Sequence, residues 1–493
     1  MRTASALLVA LLALLGVAAV ARADIPVHCL YDQIVGTWRF DMGANNGDNS
    51  LVCNDDTFNP VKSLHLRFAE PNIVYNSSGI QVADWTMIYD EGISVRMMDG
   101  AKFTQLFFAF FPYTVDPISG NVTSFCNETV LSTYHDAPYG SGQLPLGWGC
   151  FKGYKASYFT EQEAANTVSP VTTYAPKPQA ASPDAIFHAD HEYIARLNAA
   201  QNLWTAGPNP ALVGRPMREV QAMAGRKLKT SVEAHLPPAK LRTAAKASAD
   251  AFAAYPAELN WRNVSGIDYV GPMRDQLSCG SCYAFSGTEM LQARIRVKSQ
   301  NKLTPLLSPQ RVVSCSAYSQ GCDGGFEYLV SKFGQDYGFV DESCFPYQSG
   351  LIPEVPCSAG CALPRLYTVD DFNYVGGYYG NCSELGMIDH LVNYGPLSVS
   401  FLVLDSFMTY RSGVYTCDTT PGTVGFNPFE TVSHAVLLIG YGVDPTTNTK
   451  YWRVANSWGR HSTDYGGDFL IRRGTDECAI ESAASWATPS LNI

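Results

Sequence analysis

The chain has little charge: Asp, Glu, Lys and Arg make up only 16% of its 493 residues, which argues against long disordered stretches. It lacks positive excess. A net charge of −11 provides no general pull toward nucleic acid or anionic lipid. Beyond residues 6–20 it has no long apolar run, so no membrane span is expected once that segment is removed. Its one C-x-x-C has no second ligand pair at zinc spacing, and no metal or organic cofactor is implied. Residues 160–254 contain no cysteine, and no internal repeat is visible.

What is present is informative. Arg2, the apolar run 6–20 and then Ala21-Arg22-Ala23 form a secretory signal cleaved after Ala23, too short to span a bilayer comfortably. The mature chain then begins at Asp24. Fourteen cysteines suit an oxidising compartment. Asn76, Asn121, Asn127, Asn263 and Asn381 each open an N-x-S/T glycan site.

Three zones follow the signal. Residues 24–158 hold aromatic and β-branched runs, such as Trp85-Thr86-Met87-Ile88-Tyr89, separated by Gly, Asn and Asp, which predicts antiparallel β as a barrel or sandwich. The four cysteines there, Cys29, Cys53, Cys126 and Cys150, allow three pairings that spacing does not separate. Residues 159–254 open with a Pro/Ser/Thr/Ala linker at 169–183. A helix is predicted over 184–204, with Ile186, Tyr193, Ile194, Leu197 and Trp204 facing inward. Residues 215–246 carry eight Lys/Arg against two Asp/Glu. Such a stretch before a catalytic half reads as a removable pro-segment, the alternative being a helical linker. Residues 255–493 carry ten cysteines; a helix is expected after Cys282, then sheet around Ala435-Val436-Leu437-Leu438-Ile439 and Tyr451-Trp452-Arg453-Val454.

The chemistry centres on Gln276-Leu277-Ser278-Cys279-Gly280-Ser281-Cys282-Tyr283. Cys282 at a helix start would have its thiolate favoured by unpaired amides and the helix dipole. His434 can supply the imidazolium partner and return a proton to the leaving amine. Asn456 can orient that imidazole, with Trp458 shielding their bond. Gln276 can direct its side-chain N–H groups at the oxyanion beside the Cys282 amide. A redox or zinc reading of the C-x-x-C leaves Gln276 and Tyr283 without a role.

Cys-Gly-Ser-Cys-Tyr with a later His and Asn resembles the papain/cathepsin signature. The likeness narrows to the cathepsin C family of dipeptidyl peptidases. It is carried by Trp261-Arg262-Asn263-Val264, Leu307-Ser308-Pro309-Gln310, Gln320-Gly321-Cys322-Asp323-Gly324-Gly325-Phe326, Tyr374-Val375-Gly376-Gly377 and Phe426-Asn427-Pro428-Phe429-Glu430. In the first zone Val35-Gly36-Thr37-Trp38, Cys126-Asn127-Glu128-Thr129 and Trp148-Gly149-Cys150-Phe151 add to it.

The resemblance implies an α+β papain-like catalytic domain of two subdomains, preceded by an antiparallel β-barrel (an exclusion domain) and a partly helical pro-segment. It implies removal of dipeptides from free N-termini, with the Asp24 carboxylate binding the substrate's amine. Gly324, Gly325, Trp458 and Ala483 would contact substrate, Ala483 as the floor of a roomy S2 pocket. Phe326, Tyr328 and Tyr374 would hold a chloride ion. The implied bridges are Cys29–Cys126, Cys53–Cys150, Cys279–Cys322, Cys315–Cys357 and Cys344–Cys361, leaving Cys382, Cys417 and Cys478 beside the nucleophile. An activating protease, a homotetramer and a lysosome-like, vacuolar or secreted location are implied as well. Three departures stand out: Ser462-Thr463 replace the second Trp of the family's Trp-Gly-x-x-Trp-Gly, Ala455 replaces a Lys, and no Arg before Phe426 marks a cut into heavy and light chains.

Overall fold

The computed structural model describes residues 29, 31–88, 91–116, 122–156, 184–225, 249–352, 355–358, 361, 365–417 and 432–491. The signal, Asp24, Asn121, the basic stretch 226–248 and the Phe426 motif lie outside the described residues.

Eight antiparallel strands close the first zone into a barrel. The order around it is Gly36–Met42, Gly149–Lys155, Ser132–Asp136, Lys102–Phe110, Gly92–Asp99, Gln81–Ile88, Ile73–Asn76 and Lys62–Ala69. Closure removes the exposed sheet edges. Alternation does the sorting: Trp38, Phe40 and Met42 point inward while Arg39 between them is exposed. Phe40, Phe107 and Phe151 meet edge-on or tilted at 5.0–5.7 Å and fill the interior.

The catalytic half has a helical part and a sheet part. The helix Cys282–Lys298 is buried almost all round, from Cys282 to Ile295, so it forms the centre of the domain rather than a surface. Helices Pro309–Cys315 and Glu327–Asp336 complete the helical part. Ser308 caps the former, with Pro309 following it in the first turn. The sheet runs Trp204–Ala206, Tyr410–Tyr415, Asp468–Arg472, Lys450–Ala455, His434–Val443, Leu397–Phe401, Ser485–Pro489, Val369–Tyr374. His434 opens the strand His434–Val443, which is buried on both faces to its penultimate residue.

The five implied disulfides are all present. Cys417 and Cys478 are not left over: they form a sixth bridge. Among the described residues Cys282 and Cys382 are the free thiols. The helix expected over 184–204 is shorter, His191–Ala200, and Ile186 is 44% exposed. Gln201 ends it by accepting from the Leu203 and Trp204 amides and donating to the Trp204 carbonyl, and Trp204–Ala206 pairs with Tyr410–Tyr415 at the sheet edge. Trp204 is buried, but as a strand residue. Of the glycan sites described, Asn127 and Asn263 are exposed, whereas Asn76 and Asn381 are half-buried.

The barrel is locked to the catalytic half by a fully buried charge cluster. Asp336 accepts from Lys332 at 2.7 Å and from Tyr318 at 2.6 Å, and its other oxygen lies 3.1 Å from Nε2 of the barrel's His135. Arg96 of the barrel also donates to Asp371 and to the Phe372 carbonyl. Burial by itself raises the Asp336 carboxyl, but Lys332 and His135 outweigh it and hold it down at about 2. A depressed carboxylate contributes its stability above its unfolded value, 3.8, and loses it only as pH falls toward 2, so mildly acid compartments leave this lock closed. Asp336→Asn leaves Lys332 buried without its partner charge. The expected loss is about 3–5 kcal/mol, read as a lower melting temperature at pH 5; an unchanged melting temperature would count against the lock.

Candidate active site

The turn before the central helix delivers the sulfur. Cys282 is the first helical residue after the cap position Ser281, and the Cys279–Cys322 bridge ties this turn to the Gly324-Gly325 loop. The Cys282 sulfur takes a hydrogen bond from the Ala435 amide, the residue next to His434. His434 Nε2 lies 2.8 Å from Asn456 Oδ1, which also accepts from the Ser457 amide. Asn456 thus holds the ring by Nε2. That leaves His434 Nδ1, buried and without a hydrogen-bond partner among the described residues, for the proton of Cys282. Trp458 packs on the imidazole, with ring centroids 5.1 Å apart. The loop behind Asn456, lacking the second Trp, is held by hydroxyls instead: Ser462 donates to the Gly459 carbonyl, and Thr463 accepts from the Tyr465 and Gly467 amides.

Gln276 is fully buried and doubly fixed. Ser457 donates to its Oε1 at 2.5 Å, and its Nε2 donates to the Cys279 carbonyl at 3.0 Å. The same Nε2 reaches a second carbonyl, that of Met223, at 3.4 Å. Met223 belongs to the short helix Met217–Met223, and Trp458 Nε1 donates to its carbonyl as well, at 3.1 Å. A backbone carbonyl from residues 217–225 therefore sits where the Gln276 side chain points. The segment is closely fitted: Gly225, at φ +60°, has no room for a Cβ, which would overlap the Ser433 carbonyl beside His434.

This cover explains a departure from expectation. The sequence suggests a thiolate–imidazolium pair. Here burial pushes the Cys282 thiol up to about 11, with the Ala435 amide lowering it and Glu327 raising it. Burial brings His434 down to about 4, opposed by its bond to Asn456. Burial thus favours the neutral form of both groups, because their charged forms have lost water.

Of the remaining expected residues, Tyr328 and its stacking partner Tyr374 lie toward the barrel. Gly324 has φ +133°, and a Cβ on Gly325 would press on the Tyr283 ring and Ser319, so bare backbone is presented there. Ala483 is buried, two residues before Ser485, which pairs with Tyr374. Tyr374 stacks on Tyr328 at 4.7 Å, and Tyr328 donates to Ser94 of the barrel. Phe326 precedes Glu327 at the start of the helix Glu327–Asp336. Glu327 changes the chloride expectation: it is 4% exposed, and after burial its charge is the next cause of the raised Tyr374 phenol. A chloride held among Phe326, Tyr328 and Tyr374 would have the Glu327 carboxyl near it, so such a site would need that carboxyl neutral, the form that burial favours.

Comparison with known proteins agrees with this geometry. Residues 24–155 match the cathepsin C exclusion domain, and residues 255–488 match the papain family of cysteine proteases. Cathepsin C of Schistosoma mansoni is 32% identical over 479 residues, covering 95% of this chain and 96% of that protein. The chain belongs to the cathepsin C family. Its catalytic half is that of a papain-like cysteine peptidase, and its barrel is an exclusion domain. Mouse pro-cathepsin H is 31% identical over 247 residues, 48% of this chain and 66% of that protein. Among solved structures, procathepsin B S9 from Trypanosoma congolense is 22% identical, covers 61% of this chain and 98% of its own, and has a TM-score of 0.47. A digestive procathepsin L2 proteinase from Tenebrio molitor is 25% identical, covering 60% of this chain and 88% of its own, at a TM-score of 0.46.

Sequence reasoning named the motif residues of this family site. It missed Ser457, which anchors Gln276, although Ser457 lies inside the quoted Asn-Ser-Trp. It missed Glu327, an acidic residue set between two expected anion-binding positions. It marked residues 159–254 as removable without singling out Met223 or Gly225.

Proposed function

We propose that this chain is the zymogen of a dipeptidyl peptidase that removes two residues at a time from free N-termini. The observation that carries this is the exclusion-type barrel docked against the catalytic half at Tyr328, Phe372 and Tyr379. A barrel there would restrict the acyl side to a short stretch of substrate. The Asp24 carboxylate, at the mature N-terminus, would pair with the substrate's protonated amine two residues upstream of the scissile bond. Cys282 then attacks the carbonyl, and the oxyanion is held by the Gln276 side chain and the Cys282 amide. His434 protonates the leaving amine through Nδ1. A thioester remains and water hydrolyses it. Removal of residues 217–225 by an activating protease would rehydrate Cys282 and His434 and favour the ion pair. No helix among the described residues is long and apolar enough to cross a membrane, and the signal suits a lysosome-like, vacuolar or secreted destination. Assembly as a homotetramer belongs to the same proposal.

The test is the product pattern. Incubating an unblocked ten-residue peptide with the processed chain is expected to release dipeptides in sequence from its N-terminus. Internal fragments appearing first would favour an endopeptidase with a regulatory barrel, and no products would favour a silent binding protein.

Gly225→Ala tests the cover directly. Forcing a Cβ against the Ser433 carbonyl, at a left-handed φ, costs about 1–3 kcal/mol. In the unprocessed chain, Cys282 is expected to react with an epoxide inhibitor roughly five- to a hundredfold faster than in the parent. An unaltered rate would mean that residues 217–225 do not control access.

A further inference from the structure

Glu327 is a buried carboxylate that the mechanism does not use. It opens the helix Glu327–Asp336, is 4% exposed, and accepts one hydrogen bond from Ser400 Oγ at 2.8 Å. Among the described residues no Lys, Arg or His forms an ion pair with it. Its position is fixed by short links to the reacting atoms. Ser400 pairs across the sheet with Ala435, whose amide is bonded to the Cys282 sulfur. Glu327 also follows the Gly324-Gly325-Phe326 backbone directly and precedes Tyr328, which touches the barrel at Ser94. The carboxylate thus lies between the nucleophile and the barrel. Ala483, two residues before the Tyr374 partner Ser485, is buried and carries only a methyl group.

We propose that Glu327 makes the pocket for the residue two before the scissile bond select a cationic side chain, Lys or Arg. This rests on the dipeptidyl reading above, in which that residue is the substrate's first. A carboxylate kept out of water and without a cation of its own gains most from a ligand that brings one. Ser400 holds the carboxylate in place. Burial raises the Glu327 carboxyl from its ordinary range, opposed by hydrogen bonds from its own backbone amide and from Ser400, so a cation beside it would draw it back to the charged form. A neutral pocket of the same shape would rank substrates by apolar contact alone.

The experiment compares kcat/KM of the processed full chain on substrates differing only in the first residue: lysine against norleucine, and arginine against its neutral isostere citrulline. The cationic member of each pair is expected to be preferred roughly tenfold or more, the discrimination of a charge-assisted hydrogen bond. Glu327→Gln is expected to bring both ratios close to one. Equal or reversed preference in the parent overturns the proposal, and so does a ratio that survives in Glu327→Gln; the parent comparison stands if the variant cannot be prepared. The same two pairs are measured again with a blocking group extending the N-terminus. Preference for the cation at that position in blocked substrates keeps the Glu327 assignment while removing the dipeptidyl one. Turnover of free-amine substrates alone, with no cation preference, does the opposite.

Discussion

Cys282→Ala in the processed chain removes peptide hydrolysis, with kcat falling on the order of a millionfold, the scale of losing a nucleophile that acts as one unit with its base. The geometry isolates this sulfur. Ten implied cysteines and the Cys417–Cys478 pair are bridged, and the other free thiol, Cys382, is buried, with its pKa raised first of all by that burial. An epoxide inhibitor is therefore expected to label one cysteine. The label should fall on Cys282 and should be slow before processing, when the thiol stands near 11 and His434 near 4. It should quicken once residues 217–225 are gone, because rehydration restores the thiolate. Cys382→Ala should retain the parent's rate. Activity surviving in Cys282→Ala, or label found on Cys382, would end the peptidase reading.

Acetylating the N-terminus of a good dipeptidyl substrate is expected to lower kcat/KM by roughly thirtyfold to several thousandfold. That range corresponds to about 2–5 kcal/mol for taking one member from a desolvated, hydrogen-bonded charge pair. The proposed pair is the substrate amine and Asp24. Asp24→Ala should produce a similar loss on the unblocked substrate. It should add little on the acetylated one, since the two changes remove the same interaction and cannot both subtract in full. Equal turnover of the free and acetylated substrates by the parent would show a cleft open past the second residue, and the barrel would then need another role.

Which parts were legible depended on how tightly chemistry constrains residue type. A thiolate nucleophile, its imidazole and the amide that orients it admit few substitutes, so Cys282, His434 and Asn456 stand out although they are 152 and 174 positions apart from the first. The barrel strands were legible because one face must be apolar, which forces alternation at Trp38, Phe40 and Met42. Trp204 misled because an apolar residue at helical spacing also suits a sheet edge. What chose between them was Tyr410–Tyr415, some two hundred residues later.

The sequence alone therefore determined the order of the barrel and the catalytic half, the peptidase family and the identity of its motif side chains, because each demands particular residues in local patterns. Tertiary structure decided which groups those side chains meet. It placed the Met223 carbonyl under Gln276 and Trp458, paired Cys417 with Cys478, gathered Asp336, Lys332 and His135 between barrel and catalytic half, and set the Glu327 carboxylate beside the nucleophile. These contacts join segments far apart in the chain, and burial is what makes them consequential: out of water a single carboxylate or carbonyl governs its neighbours' charge, and no local pattern records how deeply a residue will be buried.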